Sequence, residues 1–411
     1  MHILYNIFAS VAVGVLRFVA FLGHSRARAF LSMRSSEYPS TPVHAPRNPY
    51  AWFHCASLGE YEQASTVIES YISGHPETPI LLTFFSPSGY FPLVKNPPNW
   101  MREGDFVSAL PLDTPSAVRE FLTTRAVHVK FFATCKYEVW PELMKQLSAA
   151  KIPSFVFATY FTANAYLLRT NLTSKFLFSA WSRFEKIFTQ DDSSSQMLRF
   201  RGLDSVVAGD PRVDRVLQIA KCATPPSDLK NWKGESKLVL AGSSWAEEEG
   251  ALASLTWDSQ MKLVIAPHEV NEANILRILK LFPRSTRYSS GDFDSSVLII
   301  DSVGLLSSLY ALADLAVVGG GYGSGLHNVL EPSAFGIPSL SGPKIHRFRE
   351  ALALQKVSAL CISESPSDLS RLVIRLLSIE NSEELKNSGL AAMSWLQSQK
   401  GASEKITTYL P

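Results

Sequence analysis

Five glycines lie between residues 319 and 325, directly after the apolar run Leu315–Val318. Glycines let a backbone approach a phosphate closely, and the N-terminus of a following helix offers free N–H groups to an anion. The spacing fits neither the GxGxxG dinucleotide fingerprint nor a P-loop, because no Gly-Lys-Ser/Thr follows. We predict a helix from about Leu326 that carries His327, Asn328 and Glu331 on one face, where an Asn and a Glu can hold ribose hydroxyls. The alternative is a glycine-rich turn whose Asn and Glu only stabilise the helix.

Three further loops follow apolar runs in the same half of the chain, at residues 242–249, 267–269 and 301–306. Because the carboxyl ends of parallel strands meet at one edge of a sheet, these loops should lie beside the glycine-rich one. Two alternatives remain open. Ser244 and Glu247 can form a capping box at a helix start, and residues 301–306 can be a simple turn.

In the other half, Glu60 follows the apolar run Ala51–Cys55 at a predicted helix start. The helix dipole stabilises a carboxylate there, and a carboxylate at the carboxyl end of a strand can act as a general base. The alternative is helix-start electrostatics alone. Comparable loops follow the second and fourth strands, at residues 83–89 and 136–141, and Asp210 and Arg212 lie near the join of the two halves.

The elements that must position these loops alternate between apolar runs and helix-like stretches, which is typical of a parallel sheet covered on both faces. The predicted strands are residues 51–55, 79–85, 106–110, 127–133, 154–158 and 185–189, and then 237–241, 262–266, 297–300 and 315–318. We therefore predict an α/β protein of two Rossmann-like domains that face a cleft and meet near residues 209–235, with ligands at the carboxyl ends of the strands.

Residues 3–22 form an apolar run long enough for one hydrocarbon thickness of about 30 Å. A basic flank follows, containing His24, Arg26, Arg28 and Arg34, which would keep the following chain in the cytoplasm. We predict a membrane helix, spanning or lying in the interface; the alternative is a buried core helix. Residues 37–48 are rich in proline and polar side chains and are predicted to form a linker.

Composition sets outer bounds on the function. The 411 residues suggest two domains, and 39 Lys+Arg against 37 Asp+Glu give no reason to expect nucleic-acid binding. The four cysteines lie at least 80 residues apart, so neither a zinc site built on local cysteine spacing nor a disulfide scaffold is expected.

Taken in order, the motifs resemble the 3-deoxy-D-manno-octulosonic acid (Kdo) transferase family from end to end. Residues 54–60 (HCASLGE) are similar to its H-x-x-S-x-G-E motif, and matching segments follow at 83–89, 110–113, 138–141, 209–214, 241–245, 327–332 (HNVLEP) and 341–343. The chain departs from the family pattern at Pro267-His268-Glu269, at Leu305, where the family has an acidic side chain, and at residues 158–162.

The resemblance implies a GT-B glycosyltransferase that moves Kdo from CMP-Kdo to a lipid A precursor, lipid IVA, without a metal or a cofactor. Glu60 would be the catalytic base, supported on the acceptor side by Ser88, Gly89, Glu138 and Arg212. The donor would contact Ser243, Pro267, His268, Val303, Gly304, Leu305, Gly320, Gly321, Asn328, Val329, Leu330 and Glu331.

We expect five segments: an anchor at 1–34, a linker at 35–48, an acceptor domain at 49–208, an interdomain linker at 209–235 and a donor domain at 236–411. The catalytic domains would lie on the cytoplasmic side of the inner membrane. The alternative functions are another GT-B nucleotide-sugar transferase, a nucleotide-sugar epimerase, or a non-enzymatic binding module tethered to the membrane.

Overall fold

The computed structural model describes residues 1–35, 48–162, 165, 169, 171–323 and 325–411. Most of the predicted linker at 35–48, and Ser324, therefore lie outside the described residues. The strands are β1 Tyr50–Cys55, β2 Ile80–Phe84, β3 Phe106–Ala109, β4 Val129–Cys135, β5 Ser154–Thr159, β6 Lys186–Thr189, β7 Val206–Val207, β8 Lys237–Ser244, β9 Met261–Pro267, β10 Thr286–Arg287, β11 Val297–Ile299, β12 Leu315–Val318, β13 Ser339–Ser341 and β14 Leu360–Ile362.

The helices are α1 His2–Phe21, α2 Ser25–Ser32, α3 Leu58–Gly74, α4 Pro87–Lys95, α5 Pro115–Thr124, α6 Pro141–Ala149, α7 Leu172–Trp181, α8 Asp192–Phe200, α9 Pro211–Cys222, α10 Ser227–Lys233, α11 Ala246–Ala253, α12 Glu272–Leu281, α13 Leu306–Leu309, α14 Leu330–Ala334, α15 Arg349–Lys356, α16 Pro366–Leu377, α17 Ser382–Ser398 and α18 Ala402–Thr407. The chain divides into two compact units. The first contains residues 1–215 and 400–411, and the second contains residues 216–399.

The first unit is built on a parallel sheet of seven strands in the order β3-β2-β1-β4-β5-β6-β7. Strand β1 lies near its centre, and alternate side chains enter two different cores: Phe53 and Cys55 on one face, Tyr50 and Trp52 on the other. Burial on both faces explains why the strand is a continuous apolar run rather than an alternating one.

The second unit repeats this plan with a seven-stranded parallel sheet in the order β10-β11-β9-β8-β12-β13-β14. Strand β8 again feeds two cores, with Val239 and Ala241 on one face and Leu238 and Leu240 on the other. The predicted α/β class with two doubly wound sheets is confirmed. The strand β13 escaped prediction because it is three residues long and two of them are serines.

The C-terminal segment groups with the first unit, whereas the sequence had placed all of 236–411 in one domain. The Asp214 carboxylate accepts hydrogen bonds from the backbone N–H groups of Gly401 and Ser403, each at 2.7 Å. The Tyr71 hydroxyl donates to the carbonyl of Pro411 at 2.7 Å. The division between the units also falls inside α9 rather than in a linker.

Helix α1 is 20 residues long and is apolar enough to cross a membrane, by length and composition. Of the 20 residues of α1, only Ala20 is buried. The alternative prediction, a buried core helix, is therefore wrong. Its first turns nevertheless contact the first unit. His2 lies 2.5 Å from the Glu142 carboxylate, the Tyr5 hydroxyl donates to Asp113 at 2.6 Å, and Asn6 donates to Glu142 at 3.0 Å.

Candidate functional site

In the first unit, the sheet order reverses between β1 and β4, which are neighbours although β2 and β3 separate them in sequence. Ligands of doubly wound sheets bind at such a switch point, outside the carboxyl ends of the strands. The loops that follow these two strands carry Glu60, on the first turn of α3, and residues 136–140. The topology therefore brings Glu60 and Glu138 to the same place.

Glu60 is held between a hydroxyl and an ammonium group. Ser57, the N-cap residue of α3, donates its hydroxyl to Oε2 of Glu60 and makes no side-chain bond to the helix backbone. The Nζ atom of Lys136 lies 3.9 Å from Oε1, and the Glu60 side chain is 21% exposed. Lys136 adopts the left-handed backbone conformation, with φ 64°, which is uncommon for a residue with a side chain. Lys136 is not among the site residues predicted from the sequence.

Glu138 is the second carboxylate of this site. Burial, reinforced by the charge of Glu60, raises its pKa to about 6. A carboxyl group with a pKa in that range can exchange protons near neutral pH. Two carboxylates and a lysine at the switch point give the first unit the groups needed for acid–base chemistry.

Ser88 and Gly89 lie on the first turn of α4, which is adjacent to the Glu60 loop because β2 pairs with β1 and the N–H of Ser86 donates to the carbonyl of Ala56 at 2.8 Å. A Cβ atom on Gly89 would overlap the ring of Phe84 and would come within 3.0 Å of the Ser57 backbone. Glycine is therefore required for the start of α4 to approach the Glu60 loop.

Arg212 donates two side-chain hydrogen bonds to the Asp210 carboxylate, at 2.9 Å and 2.6 Å. Burial raises the pKa of Tyr137, and the positive charge of Arg212 partly opposes that rise, so Arg212 lies near Tyr137. The four predicted acceptor-side residues are thus near the Glu60 and Glu138 loops.

In the second unit, the switch point lies between β8 and β12, and the glycine-rich loop follows β12. A Cβ on Gly319 would overlap the carbonyl of Ser243, and one on Gly320, which has φ +88°, would overlap that of Gly325. A Cβ on Gly321 would lie 2.5 Å from the N atom of Gly342. Packing within the unit thus requires three of the five glycines, independently of any phosphate. By contrast, a Cβ on Gly323 would meet only ordinary contact at 3.6 Å.

The helix predicted to start near Leu326 starts at Leu330 instead. Asn328 lies two residues before it, and its Oδ1 accepts the N–H of Leu330 at 3.1 Å, which forms an Asx turn that leads into the helix. The Asn328 amide donates to Oε1 of Glu331 at 3.0 Å, and Ser307 donates to Oε2 at 3.2 Å. Asn328 and Glu331 are therefore in contact as predicted, but Asn328 lies before the helix rather than on the same helix face as Glu331.

Three aromatic rings meet beside this loop. The ring centroids of Trp245 and His268 are 4.8 Å apart, and those of His268 and His327 are 4.4 Å apart. The Trp245 indole donates to Nε2 of His327 at 3.0 Å. Burial, together with the nearby His268, lowers the pKa of His327 to about 4, so its ring is neutral at neutral pH. Trp245 and His327 were not selected as site residues, although both lie within motifs that the sequence singled out.

The remaining predicted donor residues occupy neighbouring loops. Ser243 has φ 50°, and Pro267 ends β9, after which the N–H of His268 donates to the carbonyl of Ser244 at 3.1 Å. Gly304 has φ +100° and Val303 is 87% exposed, whereas Leu305 packs partly against the core. Ser307 connects this last loop to Glu331.

The capping box of Ser244 and Glu247 does not form, and α11 starts one residue later than it would require. Trp245 is the N-cap residue and its indole has no acceptor for a helix N–H, whereas Glu248 rather than Glu247 accepts the N–H of Trp245 at 3.0 Å. The other oxygen of Glu248 accepts the N–H of Gly320 at 3.0 Å, so this buried carboxylate joins the start of α11 to the glycine-rich loop. The predicted Ser244 instead donates to Glu249 at 2.8 Å.

Burial raises the pKa of Glu248 from 4.5 to about 7, which predicts a pH-dependent stability. A carboxyl pKa that is higher in the folded protein means that the folded state holds the proton more tightly. This stabilisation is present at acid pH and is lost as the pH rises through about 7. We expect the free energy of unfolding of the unsubstituted protein to fall between pH 5 and pH 8 by on the order of 3 kcal/mol more than that of Glu248→Gln. Denaturant unfolding of both, with the exposed neighbour Glu247→Gln as the control, measures the difference; equal slopes against pH would refute it.

A family model described as 3-deoxy-D-manno-octulosonic-acid transferase (kdotransferase) matches residues 28–215. The 3-deoxy-D-manno-octulosonic acid transferase of Haemophilus influenzae is 26% identical, over 94% of this chain and 91% of its own length. The similarity to Kdo transferases therefore extends over nearly the whole chain, beyond the residues that the family model matches. The enzyme of the same name from Aquifex aeolicus is 25% identical, over 82% of this chain and 90% of its own.

Among solved structures, the chain is similar to the UDP-GlcNAc 2-epimerase of Neisseria meningitidis bound to UDP-GlcNAc. The TM-score is 0.60 and the identity 14%, over 87% of this chain and 98% of the other. At that identity the likeness shows the fold alone, which is the predicted GT-B architecture. Within the described part of the chain, no group of three His, Cys, Asp or Glu side chains is placed to hold a metal ion.

Proposed function

We propose that this protein moves Kdo from CMP-Kdo to a lipid A precursor, lipid IVA, in lipopolysaccharide biosynthesis. The similarity to Kdo transferases supports the reaction. One structural observation carries its chemistry: Glu60 lies at the switch point of the first unit, fixed by Ser57 and beside Lys136. In this proposal the first unit binds the acceptor and the second binds the donor.

In the reaction, Glu60 takes the proton from the primary hydroxyl of the acceptor sugar as that oxygen attacks the anomeric carbon of Kdo. The bond between that carbon and the CMP phosphate breaks, and its electron pair leaves with CMP. The transition state is oxocarbenium-like. Because Oε2 is occupied by Ser57, Oε1 is the oxygen that receives the proton.

Negative charge grows on the phosphate of CMP as it leaves. Backbone N–H groups of a preorganised loop stabilise such charge, and this contribution is often the largest in catalysis. The glycine-rich loop, held by Glu248 and by its close packing, supports that role, and the Asn328–Glu331 pair supports ribose binding. Neither step requires a metal or a cofactor in this proposal.

The decisive experiment measures CMP release by the purified protein from CMP-Kdo, with and without lipid IVA. We expect release that depends on the acceptor, with Kdo appearing on the lipid. Another GT-B transferase would release no CMP from this donor, an epimerase would need no acceptor, and a binding module would release nothing.

Alanine at Asn328 or at Glu331 is expected to weaken donor binding about threefold to tenfold, because each substitution removes a hydrogen-bonding group worth about 0.5–1.5 kcal/mol. Asn328→Ala also removes the bond to the N–H of Leu330 at the start of α14. The matched control is therefore Ser365→Ala, which removes a side-chain bond to the backbone at the start of α16 in the same unit. Calorimetric titration with CMP measures the affinity. If all three variants bind CMP as the unsubstituted protein does, this segment has no part in nucleotide binding.

We also propose that α1 attaches the enzyme to the cytoplasmic face of the inner membrane by lying in the interface. One face of the helix exposes a row of large apolar side chains: Ile3, Leu4, Ile7, Phe8, Val11, Val15, Phe18 and Leu22. The N-terminal end contacts Glu142, while Met33 is buried in the core and Arg34 donates to the carbonyl of Leu110 at 2.9 Å. Both ends of the segment therefore lie on the first unit. The 8-residue α2, about 12 Å long, is too short to return across a bilayer core of about 30 Å.

Glutamates at Phe8 and Val15, introduced together, are expected to weaken binding to anionic lipid vesicles at least about tenfold, because they place charge in the apolar face. Ile379→Glu is the control, because Ile379 is an apolar side chain in the second unit that is 92% exposed, more than Phe8 or Val15. Vesicle co-sedimentation measures the binding. Retention of the double variant on vesicles would contradict the interfacial role of α1.

A further inference from the structure

A cavity of about 380 Å³ opens in the first unit, apart from the groups that contact Glu60. It is lined chiefly by six apolar or aromatic side chains: Tyr137, Val139, Tyr160, Phe161, Leu177 and Trp181. None of its eight described lining residues carries a charge. The Tyr137 hydroxyl donates to the backbone carbonyl of Tyr160, so it is already satisfied within the protein. A cavity with this mostly apolar lining suits an apolar occupant.

One wall of the cavity belongs to the loop that carries the acid–base groups. Tyr137 lies in sequence between Lys136, whose ammonium is 3.9 Å from Glu60, and Glu138, whose pKa reflects the charge of Glu60. A ligand that touches Tyr137 therefore contacts the direct sequence neighbour of both Lys136 and Glu138, the side chains that interact with the candidate base. A ligand with an apolar part in the cavity would present its adjoining polar part to Glu60.

Another part of the cavity wall adjoins α1 through α7. Leu177 lies on α7, and its neighbour Phe176 packs against the first turns of α1, with ring centroids 5.7 Å from His2 and 5.4 Å from Tyr5. The same helix α1 exposes the apolar row described above. The cavity thus lies between the helix assigned to the membrane interface and the loop beside the candidate base.

We propose that this cavity binds one fatty acyl chain of the acceptor. The inference rests on the proposed function, because it takes an acylated sugar as the acceptor. A chain held against Leu177 and Tyr137 would anchor the lipid as it leaves the interface and would set its sugar hydroxyl near Glu60. The cavity would thereby make the enzyme select acylated over deacylated acceptors.

The test fills the cavity with Leu177→Trp. The matched control is Leu172→Trp, which introduces the same indole at a 71%-exposed position on the same helix. A dansyl-labelled fatty acid is titrated against each full-length protein, and the KM for lipid IVA is measured separately. We expect Leu177→Trp to lose at least about tenfold in probe affinity and to raise the acceptor KM by a similar factor, since about two buried methylenes would be displaced. Leu172→Trp should change neither value.

A second variant guards against misfolding of the first. Tyr137→Ala removes a half-exposed side chain from the cavity wall. It should also weaken binding of the probe, while its circular dichroism spectrum stays that of the native fold. Absence of probe binding to the unsubstituted protein, or equal probe affinity and equal acceptor KM in all variants, would overturn the acyl site. Failure of the proposed function gives a different result, namely no transfer by the unsubstituted protein while the probe still binds.

Discussion

Replacing Glu60 by glutamine is expected to lower turnover by about 10²–10⁴-fold, the range that general-base catalysis contributes. Glutamine keeps the size of the side chain, and its carbonyl oxygen can still accept the Ser57 hydroxyl, but it has no lone pair basic enough to take the acceptor proton. Binding of CMP-Kdo should stay nearly unchanged, because the proposed donor residues all belong to the second unit. Turnover is measured at saturating donor and acceptor.

The matched control is Glu62→Gln, two residues further along the same helix. Glu62 is exposed and pairs with Arg215 at 3.3 Å, so its loss costs at most about 1 kcal/mol in stability. If Glu60 only stabilised the start of α3, the two variants would behave alike. A folded Glu60→Gln enzyme with near-normal turnover would show that Glu60 is not the catalytic base.

Much of the fold could be predicted because buried parallel strands are continuous apolar runs. The run Leu315–Val318 is the strand β12, and β1 begins one residue before the predicted Ala51. The observed strand order is one of the common orders of doubly wound sheets, with its switch point between β1 and β4. In that order Glu60 lies beside the loop after β4, whatever the side-chain contacts.

What the sequence could not predict depends on contacts between distant segments. Lys136 approaches Glu60 only because β4 pairs with β1 and because its backbone adopts a positive φ. The pairing of Trp245 with His327 joins residues 82 positions apart. Likewise, the contact of Tyr5 with Asp113 cannot be read from a hydropathy pattern, which predicts a membrane helix at α1 without showing how it lies.

The glycine-rich loop illustrates a further limit of sequence reasoning. Five glycines in seven positions suggested room for a phosphate, yet Gly319, Gly320 and Gly321 are required by the packing of their own unit. Dense packing and anion binding are compatible, because a loop fixed by its neighbours holds its N–H groups in place before the donor arrives. The two roles can be separated by comparing glycines within the loop.

Alanine at Gly320 is expected to lower kcat/KM for the donor by about 10²-fold, the loss that follows when a binding group moves by about 1 Å. Its Cβ would overlap the Gly325 carbonyl, and its positive φ adds about 1–2 kcal/mol of backbone strain. The loop must therefore shift, which breaks the bond from the N–H of Gly320 to Glu248. Gly323→Ala is the control, because its Cβ meets ordinary contact at 3.6 Å and the same loop keeps its path.

Calorimetric titration with CMP and thermal unfolding are measured alongside turnover for both variants. If the loop serves the donor, Gly320→Ala loses CMP affinity by more than its loss of stability explains, whereas Gly323→Ala keeps both. If the glycines serve packing alone, Gly320→Ala unfolds at a lower temperature but, while folded, binds CMP as the unsubstituted protein does. That second result would move the phosphate site away from this loop, because a displaced loop cannot leave the affinity of its own ligand unchanged.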